Sequence, residues 1–132
     1  MEFTIESAGG VASRTTIGGH ELRFDQPVQH GGQDLGPSPL DVMAASVGAC
    51  AHYYAAAFLT ARRLSAEGVV VQVHAEKAKE GRRRIGQLHI TVTVPAEVPE
   101  AMLPRIEAAV LTCPAWGTLQ VVPESTLRIE RA

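Results

Sequence analysis

The apolar and polar positions divide this chain into short alternating stretches and one long apolar run. Phe3–Ser7, Val11–Ile17 and His20–Asp25 alternate in part and predict three short strands, with Gly18-Gly19 giving a tight-turn signal between the last two. Residues 26–37 (QPVQHGGQDLGP) have no periodicity and are rich in Gly, Pro and Asp, which predicts a loop. A helix is expected from Ser38 onward: the serine caps, Pro39 fits the first turn and Asp41 completes a capping box. The pattern carries it to about Leu64, where Arg62 and Arg63 suit the negative end of the helix dipole. Beyond Gly68, Val69, Val71, Val73 and Ala75 alternate with Gln72, His74 and Glu76. Leu88, Ile90, Val92 and Val94 alternate in turn with His89, Thr91 and Thr93, so Val69–Lys79 and Ile85–Val94 predict an antiparallel hairpin across Glu80–Arg84. A second helix is expected from Pro99 or Pro104 to Thr112, with Ile106, Ala109, Val110 and Cys113 on one face and Pro114 interrupting it. Thr126–Glu130 reads as a closing strand.

These elements predict an α+β protein in which two strand groups flank a central, mostly buried helix, all within one domain over residues 1–132. Val42–Ala61 is a run of 20 residues without a formal charge, the length of a membrane span. Its many alanines, with Ser46, Gly48, His52, Tyr53, Tyr54 and Thr60, dilute the hydrophobicity. A helix buried inside a soluble protein or dimer is therefore expected rather than a membrane anchor. The formal net charge of −2 gives no reason to expect nucleic acid or an anionic membrane as partner, and Arg82-Arg83-Arg84 reads as a solvated hairpin turn. The N-terminus, MEFTIESAGG, lacks the apolar core of a secretion signal, so a cytoplasmic setting is expected.

In that setting a transient disulfide is more plausible than a permanent one, which directs attention to the two cysteines, Cys50 and Cys113. Two are too few for an all-cysteine zinc site, the five histidines are scattered without ligand spacing, and no Gly-rich phosphate loop is present. Neither a metal nor a cofactor is expected. On a helix Cys50 shares a face with Met43, Ser46, Val47, Tyr53 and Tyr54, where a cysteine can act simply as a small hydrophobe. A redox pair is the alternative. There, a thiolate attacks a peroxide oxygen to give a sulfenic acid, and a second thiol condenses with it to a disulfide. The attacker needs a cation or aligned dipole nearby, and mid-helix placement denies it the dipole of its own helix. His52 is no help, being about 200° round the helix from Cys50. Tyr53, Tyr54, Phe58 and Trp116 suit either core packing or an apolar substrate slot.

The stretch GGQDLGPSPLDVMAASVGAC, followed about sixty residues later by CPAWGTL, resembles the OsmC/Ohr family of osmotically inducible and organic-hydroperoxide-resistance proteins. The order of elements is similar over nearly the whole chain. The resemblance implies an intertwined homodimer with sites at the subunit interface and thiol-dependent reduction of organic hydroperoxides. Cys50 would be the peroxidatic thiol, Cys113 the resolving thiol, and an external dithiol the reductant. The family's peroxidases pair an arginine from the N-terminal region with a glutamate just after the proline that opens the cysteine helix. That glutamate position falls on Leu40 here, with Asp41 one residue on. For the arginine, Arg23 in Arg23-Phe24-Asp25 matches best, while alignment on Gly9-Gly10 puts Val11 at the position with Arg14 close by. Leucine in place of the acid marks a divergent branch. It keeps open a rival reading, in which the same dimer is a non-catalytic or redox-sensing binder of a small apolar ligand.

Overall fold

A computed structural model describes residues 1–131 and places them in two compact units, residues 1–45 and residues from 46 onward. The elements are of mixed α+β type, as the pattern predicts.

The first unit carries an antiparallel sheet in the order β1 (Glu6–Ser7), β2 (Ser13–Ile17), β3 (His20–Phe24). Gly18 and Gly19 take φ of 56° and 83°, which places Ile17 opposite His20. Two successive positive φ values give a hairpin turn whose twist matches that of the strands, and glycine adopts them without strain. The first strand is shorter than the alternation predicts. Only Glu6 and Ser7 pair with β2, while the Thr15 hydroxyl donates to the Thr4 carbonyl at 2.8 Å. The loop that follows contains one 3₁₀ turn, Val28–His30.

Helix α1 (Pro39–Thr60) starts where the capping signal places it. Ser38 Oγ accepts the Asp41 N–H at 3.2 Å, and its hydroxyl donates to the Asp41 carboxylate at 2.6 Å. The helix ends at Thr60, before the expected Leu64, because Arg63 turns left-handed at φ 59°. The Leu64 N–H then reaches back to the Leu59 carbonyl at 3.1 Å and the Arg63 N–H to Thr60 at 3.0 Å, which is a Schellman cap. Arg62 does serve the negative end, donating to the Phe58 carbonyl at 3.0 Å with its guanidinium 3.5 Å from the centre of the Phe58 ring.

The buried flank of α1 is a stripe of mostly small residues at three-and-four spacing: Ala44, Val47, Gly48, Ala51, Ala55 and Leu59. Within the single chain the helix is not buried on most sides. By length and composition α1 could cross a membrane, and 33% of its apolar window is buried in the chain. Packing covers one flank and leaves Ala45, Ala49, His52, Tyr53 and Ala57 exposed.

In the second unit β4 (Val70–Lys77) pairs antiparallel with β5 (Ile85–Thr93), Val73 opposite Ile90, with a register irregularity at Glu76/Lys77. A Cβ on Gly48 would collide with Val73 Cγ2, so this close approach of α1 to β4 needs a glycine. The core joins Ala55 and Leu59 to Val69, Val98 and Ile106, with Val92, Val94 and Val110 packed against them. A 3₁₀ turn, Glu100–Met102, leads into α2 (Leu103–Val110).

Pro114 does more than interrupt that helix: it opens another, α3 (Pro114–Gln120). Proline fits the first position of a helix, where an N–H would have no partner. Cys113 consequently sits at the N-cap of α3 and not on the face of α2. The expected closing strand, Thr126–Glu130, is not formed either. Residues 122–131 adopt no regular element, and Leu127 and Ile129 are 88% and 89% exposed. A strand needs a neighbouring edge for its backbone groups, and none of the described strands pairs with this segment.

Candidate functional site

The stripe on α1 fixes where Cys50 lies: at the margin of the buried flank, half-buried, between buried Val47 and Ala51. Cys113 is 1% exposed, and its carbonyl accepts the Gly117 N–H at 2.9 Å in the first turn of α3. Folding brings the two thiols within hydrogen-bonding reach of one another although they are 63 positions apart in sequence. The Ala115 N–H, at the second residue of α3, also donates to Cys50 Sγ. Both cysteines are free thiols.

Burial pushes the Cys50 thiol above its ordinary pKa, and the neighbouring Cys113 thiol adds to the rise. The Ala115 N–H opposes both but is the smaller effect. Cys50 is therefore protonated at neutral pH in this environment. The two thiols are neighbours, and among the described residues no cation is one of the groups that shift Cys50. Among the described residues no group of three or more His, Cys, Asp or Glu is placed to hold a metal ion.

A cavity of about 500 Å³ opens in the same unit, lined by Val47 and Ala51 of α1, Ile90 and Val92 of β5, Ile106 of α2, and Trp116. Of the aromatic residues open to a slot role, only Trp116 lines this cavity. Tyr53 is 64% exposed and meets Tyr54 edge-to-face at 5.3 Å between ring centres, and Phe58 packs beneath Arg62.

The sequence-predicted polar partners lie in the first unit. Arg23 projects from β3 and is exposed, and Arg14 on β2 makes an ion pair with Glu6 at 3.6 Å. Leu40 is the second residue of α1 and 37% exposed, and the Asp41 carboxylate is engaged by Ser38. One residue of this unit escaped the sequence reading. Asp25 is 2% exposed, and its carboxylate accepts the Gln26 N–H at 2.8 Å and those of Gln33 and Leu35 at 3.0 Å each. These backbone bonds, Leu35 foremost, hold its carboxyl below the ordinary aspartate range. Asp25 thus ties the loop back onto the end of the strand that bears Arg23. An aspartate at a strand end before a Gly/Pro loop is the available signal, through its known tendency to bond nearby backbone N–H groups.

The family model described as OsmC-like protein matches residues 31–128. No curated protein shows detectable similarity to the chain. Among solved structures, a Psychrobacter arcticus osmotic stress induced and detoxification response protein is 21% identical with a TM-score of 0.78, covering 88% of this chain and 85% of its own. An OsmC like protein from Mycoplasma pneumoniae is 17% identical with a TM-score of 0.76, over 92% and 87%. An organic hydroperoxide resistance protein from Legionella pneumophila is 18% identical with a TM-score of 0.63, over 91% and 90%. At these identities the likeness is one of fold.

Proposed function

Because this chain belongs to the OsmC-like protein family, we propose that it is a thiol-dependent peroxidase that reduces organic hydroperoxides. The observation that carries the proposal is the meeting of Cys50 and Cys113 as free thiols in one core. Family membership points to a redox or hydroperoxide-resistance role, and a structural neighbour named for hydroperoxide resistance lends support. In the proposed reaction the Cys50 thiolate attacks the peroxide oxygen distal to carbon, forming Cys50 sulfenic acid and releasing the alcohol. The Cys113 thiol displaces water from the sulfenic acid to form the disulfide, and an external dithiol returns both sulfurs to thiols. The sum is ROOH plus two thiols giving ROH, water and one disulfide.

Arg23 is the group we assign to stabilising the thiolate and orienting the peroxide, acting within a cytoplasmic homodimer. Two features favour that dimer: the exposed flank of α1, and the C-terminal segment whose Leu127 and Ile129 lie bare in the single chain.

Intact-mass analysis of reduced protein titrated with cumene hydroperoxide tests the proposal. One equivalent should remove two hydrogens from the native chain. It should leave Cys50→Ser unchanged and add one oxygen to Cys113→Ser. Thiols that persist at many equivalents would rule the enzyme out.

A second reading is favoured by Leu40 at the family's acid position and by the apolar cavity. In it the same dimer binds a small apolar ligand, and the thiols sense redox state without turnover. Single oxidation without multiple turnovers in the presence of dithiol would select it.

A further inference from the structure

The cavity in the second unit has a lip of distinctive chemistry. Leu103, Glu107 and Leu111 lie four residues apart along α2 and its immediate extension, so they form a line down one side of the helix. All three line the cavity and all three are exposed, Leu103 at 43% and Leu111 at 53%. Two leucines with an acid between them border an interior of Val47, Ala51, Ile90, Val92 and Ile106. Glu107 is the one ionisable side chain of the lining, and the Thr91 hydroxyl and Trp116 indole N–H are its other polar side-chain groups. A volume of about 500 Å³ falls within the range of small-molecule sites, which combine an apolar interior with a few polar groups that fix orientation.

From this we infer that the cavity takes an amphiphile with an apolar chain and a cationic head, and that Glu107 selects the head. The chain lies on the valine and isoleucine floor beside Trp116, and the head stays at the lip, where the glutamate carboxylate meets it. A carboxylate head would face like charge at the same place and is disfavoured. A neutral alcohol falls between. This binding preference does not rest on the redox reading.

Trp116 is the only tryptophan of the chain and lines the cavity, so its fluorescence reports occupancy directly. Reduced protein is titrated at neutral pH with octylammonium, octanoate and octan-1-ol, three ligands of one chain length. Octylammonium should shift Trp116 emission at a concentration roughly tenfold below that for octanoate, as expected of a partly exposed charge acting attractively in one case and repulsively in the other. Glu107→Gln, an exposed and nearly isosteric change, should bring the three to within about threefold. Glu107→Lys should reverse the order. Equal binding of amine and carboxylate by the native chain would overturn the inference, as would an order that persists in Glu107→Gln. Emission that none of the three moves would remove the cavity as a ligand site. Amine selectivity alongside thiols inert to peroxide would leave this inference standing and remove only the redox reading.

Discussion

Arg14 and Arg23 stand directly opposite one another across the β2–β3 hairpin, so both side chains leave the same face of the sheet. Like charges in that position cost about 0.2–1 kcal/mol. Glu6, opposite Arg14 on the other side, takes up one of them at 3.6 Å. Arg23 is exposed and has no ion-pair partner among the described residues. Of the two, it is the one free to serve a ligand. Arg23→Ala should lower kcat/KM for cumene hydroperoxide by roughly a hundredfold, the scale of losing one charge-stabilising donor, while Arg14→Ala stays within about threefold. Urea midpoints should show Arg23→Ala no less stable than the native chain, because it relieves the repulsion. Equal kinetic losses in the two variants would show the assignment to be wrong.

Cys50 gives a pH dependence of definite sign. Burial raises its pKa, so the folded state favours the neutral thiol. That contribution to stability is complete below the unfolded-state thiol pKa and is lost as pH rises through the higher folded value. Urea midpoints should therefore fall as pH climbs above the ordinary thiol range, and Cys50→Ala should flatten the slope. Iodoacetamide alkylation, followed by mass, reads the same group kinetically. If Arg23 supplies the activating cation, the native alkylation profile lies at lower pH than that of Arg23→Ala, whose midpoint should lie above that of free cysteine.

Asp25 has the opposite sign. Its carboxyl is held below its ordinary value of 3.8 by three backbone N–H groups, so its stabilisation is fully present above that value and lost as pH falls through the lowered one. Asp25→Ala should leave the Gln33 and Leu35 amides without an acceptor. Hydrogen exchange should show those two amides losing protection at neutral pH, with β4–β5 unaffected. The variant's urea midpoint should also lose part of the native protein's decline in acid.

Much of the fold was legible because its signals are local. The Gly18-Gly19 turn, the Ser38–Asp41 cap and the alternation on either side of Glu80–Arg84 each fix an element from neighbouring residues. Cys113 shows the limit. Pro114 ends one helix and begins another, and a proline permits either, so the sequence placed the thiol on the wrong element. The Asp25 carboxylate's contacts span up to ten positions and reach backbone groups, which carry no side-chain signature. The cavity lining draws on four separated segments and is invisible to any window of sequence. Residues 126–130 have a strand's alternation but find no edge to join, because alternation specifies a face and not a partner.

Arg63 offers a test of backbone strain apart from chemistry. It closes α1 at φ 59°, where a side chain on an L-residue costs roughly 1–2 kcal/mol and glycine costs nothing sterically. Glycine gives part of this back through greater freedom in the unfolded chain. Arg63→Gly should raise stability by about 0.5–1 kcal/mol, read as a higher urea midpoint at unchanged slope. Arg62→Ala should do the reverse, losing both the bond to the Phe58 carbonyl and the contact with its ring.

Leu40→Glu addresses the position where the resemblance to the family's peroxidases implies a glutamate. Position 40 is the second residue of α1 and 37% exposed, so replacing leucine there gives up some apolar contact. A carboxylate in the first turn of a helix gains about 0.3–1 kcal/mol from the exposed N–H groups and the dipole. That gain offsets part of the lost contact, so the variant should remain folded, with a urea midpoint near or somewhat below that of the native chain. Ser38→Ala, one step before the helix, should cost about 1 kcal/mol by removing the cap. If the missing acid is what holds turnover down, Leu40→Glu also raises kcat/KM for cumene hydroperoxide, and Arg23→Ala abolishes the gain. A double-mutant cycle between positions 40 and 23 measures that coupling, with Ser38→Ala as the control for a merely structural effect at the start of the helix. A folded Leu40→Glu whose activity is unchanged would mean that the leucine does not limit the chemistry, and would shift the weight toward the ligand-binding reading.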